Sequence, residues 1–436
     1  MKIAIIRLAS IVLCLGLAIG CGKRQQHVFS SLEDASTVAQ LKTFAAEKEV
    51  QAKAASEAQG QTMPPEFQKY FDAAKRGDWL AVNNQFNNFM KYGAPNSGQA
   101  SLQLRGTPWE PMVRETWGAL FFFGAGDEKY STAYANDVIT SIPPGSIYFG
   151  GTDSGRFLIT AMQKSQVNGD PFFTLTQNAL ADGGYLVYLR AMYGDKIYIP
   201  TAEDLEKCFQ DYKQDALERL KNGKLKPGED VRQDSNGQIQ ISGVVAVMEI
   251  NGLLAKDIFD KNTNQEFYVE ESFPLDWMYP YLEPHNLIFK LNRQPLTELS
   301  DEIVQTDHDY WTKLIAPMIG DWLNDDTTVS EISAFVEKVY GKKDLNGFKG
   351  DPRFIQSLDS KKIFSKERAS IADLYVWRMN HATIAGERER MAQAADFAFR
   401  QALALYPNSP EARKGYVDFL KSQNRNSDAA VVNGMW

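Results

Sequence analysis

Two adjacent prolines, Pro143 and Pro144, mark where this 436-residue chain changes its periodicity, and that change constrains the fold more than any other feature. A proline pair ends a helix and holds the preceding residue in extended backbone. Upstream, apolar residues recur at helical spacing. Downstream, Ser146-Ile147-Tyr148-Phe149 is a short apolar run. A turn follows, Gly150-Gly151-Thr152-Asp153-Ser154-Gly155, and a helix begins near Phe157. Further strands are predicted at 196–199, 267–270 and 287–291, with helices at 180–193, from Thr201 through Cys208, and at 242–259. Strands alternating with helices imply an α/β layer whose sheet is at least partly parallel.

Helical spacing dominates on both sides of that layer. Phe67, Tyr70, Phe71 and Ala74 are followed by a Gly77-Asp78 break and then by Trp79, Val82, Phe86, Phe89 and Met90. That pattern is a helical hairpin over 64–93. Two more helices are expected at 110–123 and 128–141. The expected fold class is therefore mixed α/β and all-α, a small α/β layer flanked by helical hairpins, with helices at the C-terminal end. In linear order this gives a leader at 1–20, a tether at 21–62 and a helical region at 63–141. An α/β domain at 142–297, a helical domain at 298–424 and a polar, disordered tail at 425–436 complete it.

The first 21 residues read as a bacterial lipoprotein signal. Lys2 and Arg7 supply the positive start, 8–17 the apolar stretch, and Ala18-Ile19-Gly20 the small residues before Cys21. Cys21 is then the lipidation site, which places the protein outside the cytoplasm and attached to a membrane. Gly22, in place of an acid after Cys21, favours the outer membrane, facing the periplasm, in a cell that has two. An ordinary secretory leader cut elsewhere is the alternative.

Loss of Lys2 and Arg7 with the leader takes the net charge from −8 to −10. An acidic surface repels phosphate backbones, so nucleic acid is not an expected partner. Cys14 leaves with the leader and Cys21 is acylated, so Cys208 remains alone and no internal disulfide can form. Cys208 shares a stripe with Leu205, Phe209, Tyr212, Ala216 and Leu220 and is read as a small buried hydrophobe. His27, His285, His308 and His381 show no zinc-ligand spacing, so neither metal nor cofactor is expected. His308, between Asp307 and Asp309, reads as part of an exposed helix face. Neither a P-loop nor a Gly-x-Ser-x-Gly elbow is present.

Two stretches resemble known families. Ala394 through Leu405, running into Tyr406-Pro407-Asn408, is similar to the second helix and exit of a tetratricopeptide repeat. Residues 370–380 would be its first helix and 411–420 the start of the next. The stretch Ile142-Pro143-Pro144-Gly145-Ser146-Ile147-Tyr148-Phe149, with Thr152 through Phe157, resembles the soluble extracytoplasmic region of protein O-mannosyltransferase-like membrane proteins. Residues 281–291 continue that likeness more loosely. The membrane part that carries the transferase chemistry of that family has no counterpart here. The resemblance therefore implies an accessory soluble module and no transferase activity.

In an α/β layer, ligands gather beyond the carboxyl ends of the strands. The Gly150–Arg156 turn lies there, and Asp153, Ser154 and Arg156 are the candidate contacts to a polar ligand. Glu270 and Glu271 follow another strand and are candidate acids on the same edge. The alternative is structural: Asp153 caps a helix, the glycines make a turn, and the glutamates are solvated. Trp109, Trp117, Trp277, Trp311, Trp322 and Trp377 are read as core. Trp277, Tyr279 and Tyr281 also fit a sugar-stacking surface. The leading expectation is a non-catalytic lipoprotein scaffold that binds envelope proteins through its helical repeats. A glycan-binding or glycan-processing protein is the alternative, and the sequence leaves open whether any catalysis occurs.

Overall fold

The computed structural model describes residues 35–92, 102–125, 127–151, 154–163, 171–194, 196–233, 239–270 and 275–435. The protein is mixed α/β, mostly helical, with a small mixed sheet. In chain order, α1 (Ala35–Ala58), α2 (Pro65–Arg76), α3 (Trp79–Tyr92), α4 (Glu110–Ala125) and α5 (Glu128–Ser141) precede β1 (Ile147–Gly150). Next come α6 (Ser154–Met162), β2 (Phe173–Thr176), α7 (Gly183–Tyr193), α8 (Ala202–Lys221), β3 (Asp230–Gln233), β4 (Ile239–Ser242) and α9 (Val244–Lys261). Strands β5 (Phe267–Glu270), β6 (Leu282–His285) and β7 (Ile288–Leu291) follow. The remainder is helical: α10 (Asp301–Ile319), α11 (Val329–Val336), α12 (Pro352–Gln356), α13 (Leu358–His381), α14 (Glu387–Leu405), α15 (Pro410–Ser422) and α16 (Asn426–Gly434). No helix among the described residues is long and apolar enough to cross a membrane.

The chain divides into two compact units that are not consecutive in sequence. One draws on Ser36–Trp117 and Lys164–Gln265, the other on Gly118–Gln163 and Glu266–Trp436. The expected continuous α/β domain at 142–297 is thereby corrected. Strand β1 pairs in parallel with β5, about 120 residues later, and the crossover between them contains a segment that packs with the N-terminal helices. Linear periodicity carries no information about such a return.

In the first unit, α2 and α3 form the predicted hairpin, with Gly77 at φ 79° ending α2 where a side chain would be strained. Its core is aromatic: Phe67 lies 4.3 Å from Phe89 and 5.4 Å from Trp109, and Phe86 stacks on Trp117 at 4.4 Å. Part of the expected tether at 21–62 instead packs into this unit. Residues 35–58 are one helix that buries Leu41, Phe44, Ala45, Ala52 and even Lys48. Lys48 Nζ sits 2.5 Å from Glu115, and Tyr188 Oη lies 2.8 Å from both partners. The triad ties α1, α4 and α7 together, and the buried lysine hides α1's docking face from a hydrophobicity scan.

Thr201 and Asp204 form a capping box on α8, with reciprocal hydrogen bonds of 3.2 and 2.8 Å. The strand predicted at 196–199 is absent. Asn262 instead accepts the Tyr198 N–H at 2.7 Å and donates to its carbonyl at 3.0 Å, so a side-chain amide satisfies the backbone in place of a ladder. Part of the charged stretch at 224–237 is the edge of a β3–β4 pair, antiparallel from Asp230↔Ser242 to Gln233↔Ile239. Cys208 is a buried free thiol, pushed up to about 11 by burial, with Asp257 adding to the effect.

In the second unit the strand order is β1-β5-β7-β6, with β1 and β5 parallel and the other two pairings antiparallel. Strand β6 tolerates Pro284 because it is an edge, and Asn286 turns into β7 at φ 54°. The C-terminal helices pack as α13 with α14, and α15 with α16. Residues 425–436, expected as a disordered tail, carry α16, with Ala429, Val432 and Met435 buried. Arg413 anchors that helix by donating to the carbonyls of Val432, Asn433 and Met435 at 3.3, 3.0 and 2.6 Å.

Candidate functional site

The parallel pairing of β1 and β5 sets Gly150 beside Glu270 at the carboxyl ends of both strands. The sequence-predicted turn and acid therefore meet at one edge. The Gly151 N–H donates to Glu270 Oε2 at 3.2 Å, and the Tyr148 hydroxyl donates to the Gly155 carbonyl at 2.6 Å. Lys366 of α13 pairs with Glu270 and lies 3.5 Å from Glu367, which accepts the Tyr134 hydroxyl at 3.1 Å. A Cβ at position 155 would lie 1.8 Å from Glu270, so glycine there is a requirement of packing.

Ser154 and Arg156 are each 4% exposed, and Glu270 is fully buried. Glu270 is therefore not solvated, correcting that part of the structural alternative. The Arg156 guanidinium lies 5.0 Å from the centre of the Phe157 ring. Asp153, Glu271 and Cys21 lie outside the described residues. Chemically, the edge is a buried ionic joint between the sheet and α13. A carboxylate held by a lysine and a backbone N–H and shielded from solvent is poorly placed to exchange protons with a substrate.

The helices that follow are held by buried cations. Arg368, 1% exposed, donates to Asp307 at 2.7 Å and to Gln401 at 2.7 Å, and the Tyr375 hydroxyl donates to the same Asp307 oxygen at 2.8 Å. Asp307 is thus buried, correcting the exposed face expected around His308, whose ring stacks on Phe397 at 4.8 Å. Arg378 donates to the carbonyls of Pro280 and Leu296, each at 2.9 Å, so it fixes the turn before β6 to α13. Among the predicted core tryptophans, Trp109 and Trp311 are buried, while Trp117, Trp277, Trp322 and Trp377 are half-buried.

Between α13 and α15 runs a cleft of about 500 Å³, lined by Asp373, Val376, Glu411, Lys414, Asp418 and Phe419, among others. Burial pushes the Asp373 carboxyl up to about 7, an effect that Lys414 opposes and Glu411 reinforces. Beside the cleft, Tyr279 stacks on Trp377 at 5.6 Å, and Trp377 stacks on His381 at 4.1 Å. Sequence reasoning passed over Asp373. Its one signal was an acid inside the apolar run Ile371-Ala372-Asp373-Leu374-Tyr375-Val376. Among the described residues no cluster of histidine, cysteine, aspartate or glutamate is arranged to hold a metal ion.

These features define a mixed α/β protein whose helical C-terminal region carries a cleft with a half-buried acid. No family model, no curated protein and no solved structure matches the chain.

Proposed function

We infer that this chain is an extracytoplasmic lipoprotein, acylated at Cys21 and held on the outer membrane facing the periplasm, that binds an envelope protein through its C-terminal helices. The observation that carries this reading is the α13–α15 cleft on a frame locked by buried Arg368, Asp307 and Arg378. A rigid frame with an open groove suits recognition, since little ordering is lost on binding. We read α13–α14 and α15–α16 as two tetratricopeptide-like hairpins, a reading supported by Pro407-Asn408 between them and by their pairwise packing. The buried state of Glu270 supports a non-catalytic role for the sheet edge.

Crosslinking mass spectrometry on intact envelopes tests this. Reproducible links from 358–434 to one protein support the reading, and their absence overturns it. Cys21→Ser is expected to release the protein from membranes. A second reading, glycan binding without turnover, rests on the half-buried rings of Trp277, Tyr279, Tyr281 and Trp377. Glycan-array binding that Trp377→Ala abolishes would favour it.

A further inference from the structure

We propose that the cleft between α13 and α15 receives the cationic side chain, arginine or lysine, of a protein partner. The inference rests on the protein-binding reading above and specifies what that surface selects. Asp373 reaches the cleft from the middle of α13 and makes no hydrogen bond or ion pair with any described residue. Its Oδ1 faces the bare Cα of Gly415 on α15, where an added Cβ would stand 3.1 Å away. The same Cβ would stand 2.8 Å from the Phe399 ring, so glycine at 415 leaves room for both the ring and the carboxylate.

The charges around it point to a cation. Glu411 and Asp418 stand on α15 with Lys414, and Lys414 lies 3.2 Å from Asp418 and is itself exposed. On the other side, burial raises the Tyr279 phenol, and the nearby Asp373 and Asp276 add to that effect. No cation is committed to Asp373, and a half-desolvated carboxylate without one is costly. That cost is visible in its rise to about 7, with burial as the leading cause. A guanidinium or ammonium would supply both the opposing charge and the missing donors. Its alkyl stem fits the apolar walls made by Val376 and Phe419, because such side chains bury their stems and present their charged heads. A neutral group would leave Asp373 unpaired, and an anionic one would be repelled.

The test uses the full chain and labelled pentapeptides Gly-Leu-Xaa-Leu-Gly, with Xaa as Arg, Lys, Met or Glu, followed by fluorescence anisotropy. The Arg and Lys peptides are expected to bind at least about tenfold more tightly than the Met peptide, with Glu weakest. Asp373→Asn should reduce that preference to within about twofold. Lys414→Gln changes an exposed residue only and should raise affinity for the Arg peptide about threefold. The preference should grow between about pH 6 and 8 as Asp373 ionises. Equal binding of the Arg and Met peptides, no binding of the Arg peptide at about 5 mM, or an unchanged preference in Asp373→Asn overturns the inference. An envelope protein crosslinked to 358–434 whose capture is insensitive to Asp373→Asn overturns it too, while leaving the scaffold reading in place.

Discussion

Gly155 and Glu270 compete for one space: a Cβ on residue 155 would stand 1.8 Å from the Glu270 carboxylate. Because Glu270 is fully buried and held by Lys366 and the Gly151 N–H, it cannot swing away without leaving a charge unpaired. Gly155→Ala is therefore expected to destabilise the protein by about 1–3 kcal/mol, as overpacking does elsewhere. Glu270→Gln should cost more, roughly 3–5 kcal/mol, because it removes the nearer of the two carboxylates beside Lys366. Thermal or urea unfolding of both variants checks the order; a neutral Gly155→Ala would show that the edge is loosely packed.

The Lys48–Glu115 pair separates a buried ion pair's existence from its contribution. Lys48→Met alone should cost about 3–5 kcal/mol, since it removes the ammonium that pairs with the buried Glu115. The double variant Lys48→Met/Glu115→Leu should recover most of that loss, because a buried pair replaced whole is often neutral or stabilising. Urea unfolding of the three proteins, read as a double-mutant cycle, measures the coupling. Failure of the double variant to recover would assign the triad a positioning role for α1.

Asp373 should make stability fall as pH rises. Its carboxyl is raised from 3.8 to about 7 in the folded chain, so the folded state holds a proton that the unfolded state releases first. The stabilisation is complete below the unfolded value of 3.8 and is lost as pH climbs through about 7. The slope is at most about 1.4 kcal/mol per pH unit in that window. Asp373→Asn should flatten it, measured by urea unfolding at intervals between about pH 4 and 8.

Glu229 should act in the opposite sense. The Arg219 guanidinium holds its carboxyl down from 4.5 to about 2, helped by the Lys226 N–H at 2.9 Å and the Tyr212 hydroxyl at 2.8 Å. Here the stabilisation is present above 4.5 and is lost as pH falls through about 2. Glu229→Gln is therefore expected to lower stability at neutral pH and to reduce its dependence on pH in the acid range, followed by circular dichroism.

Local chemistry was legible wherever neighbours in sequence are neighbours in space. The α2–α3 hairpin, the capping box at Thr201 and Asp204, and strand β5 all follow from spacing, because the residues that make them lie within a turn or two of each other. Residues 196–199 failed for the converse reason: an apolar, extended run became irregular because Asn262, more than 60 positions away, supplies its hydrogen bonds. The candidate site was half legible. That Glu270 would share an edge with the glycine turn follows from both ending strands. That it would be buried does not, because Lys366, which makes burial tolerable, lies on a helix nearly 100 residues further on.

By itself, then, the sequence determined the alternation of helix and strand, the chemistry of its caps and turns and an acidic balance, because short-range sterics and composition set all of these. Tertiary structure alone decided which charges are paired. Lys48, Arg368 and Glu270 look like surface residues in one dimension, and each is buried because a distant partner, Glu115, Asp307 or Lys366, meets it there. Asp373 became a candidate for recognition by the same rule in reverse: packing half-buried it, and no described residue pairs with it.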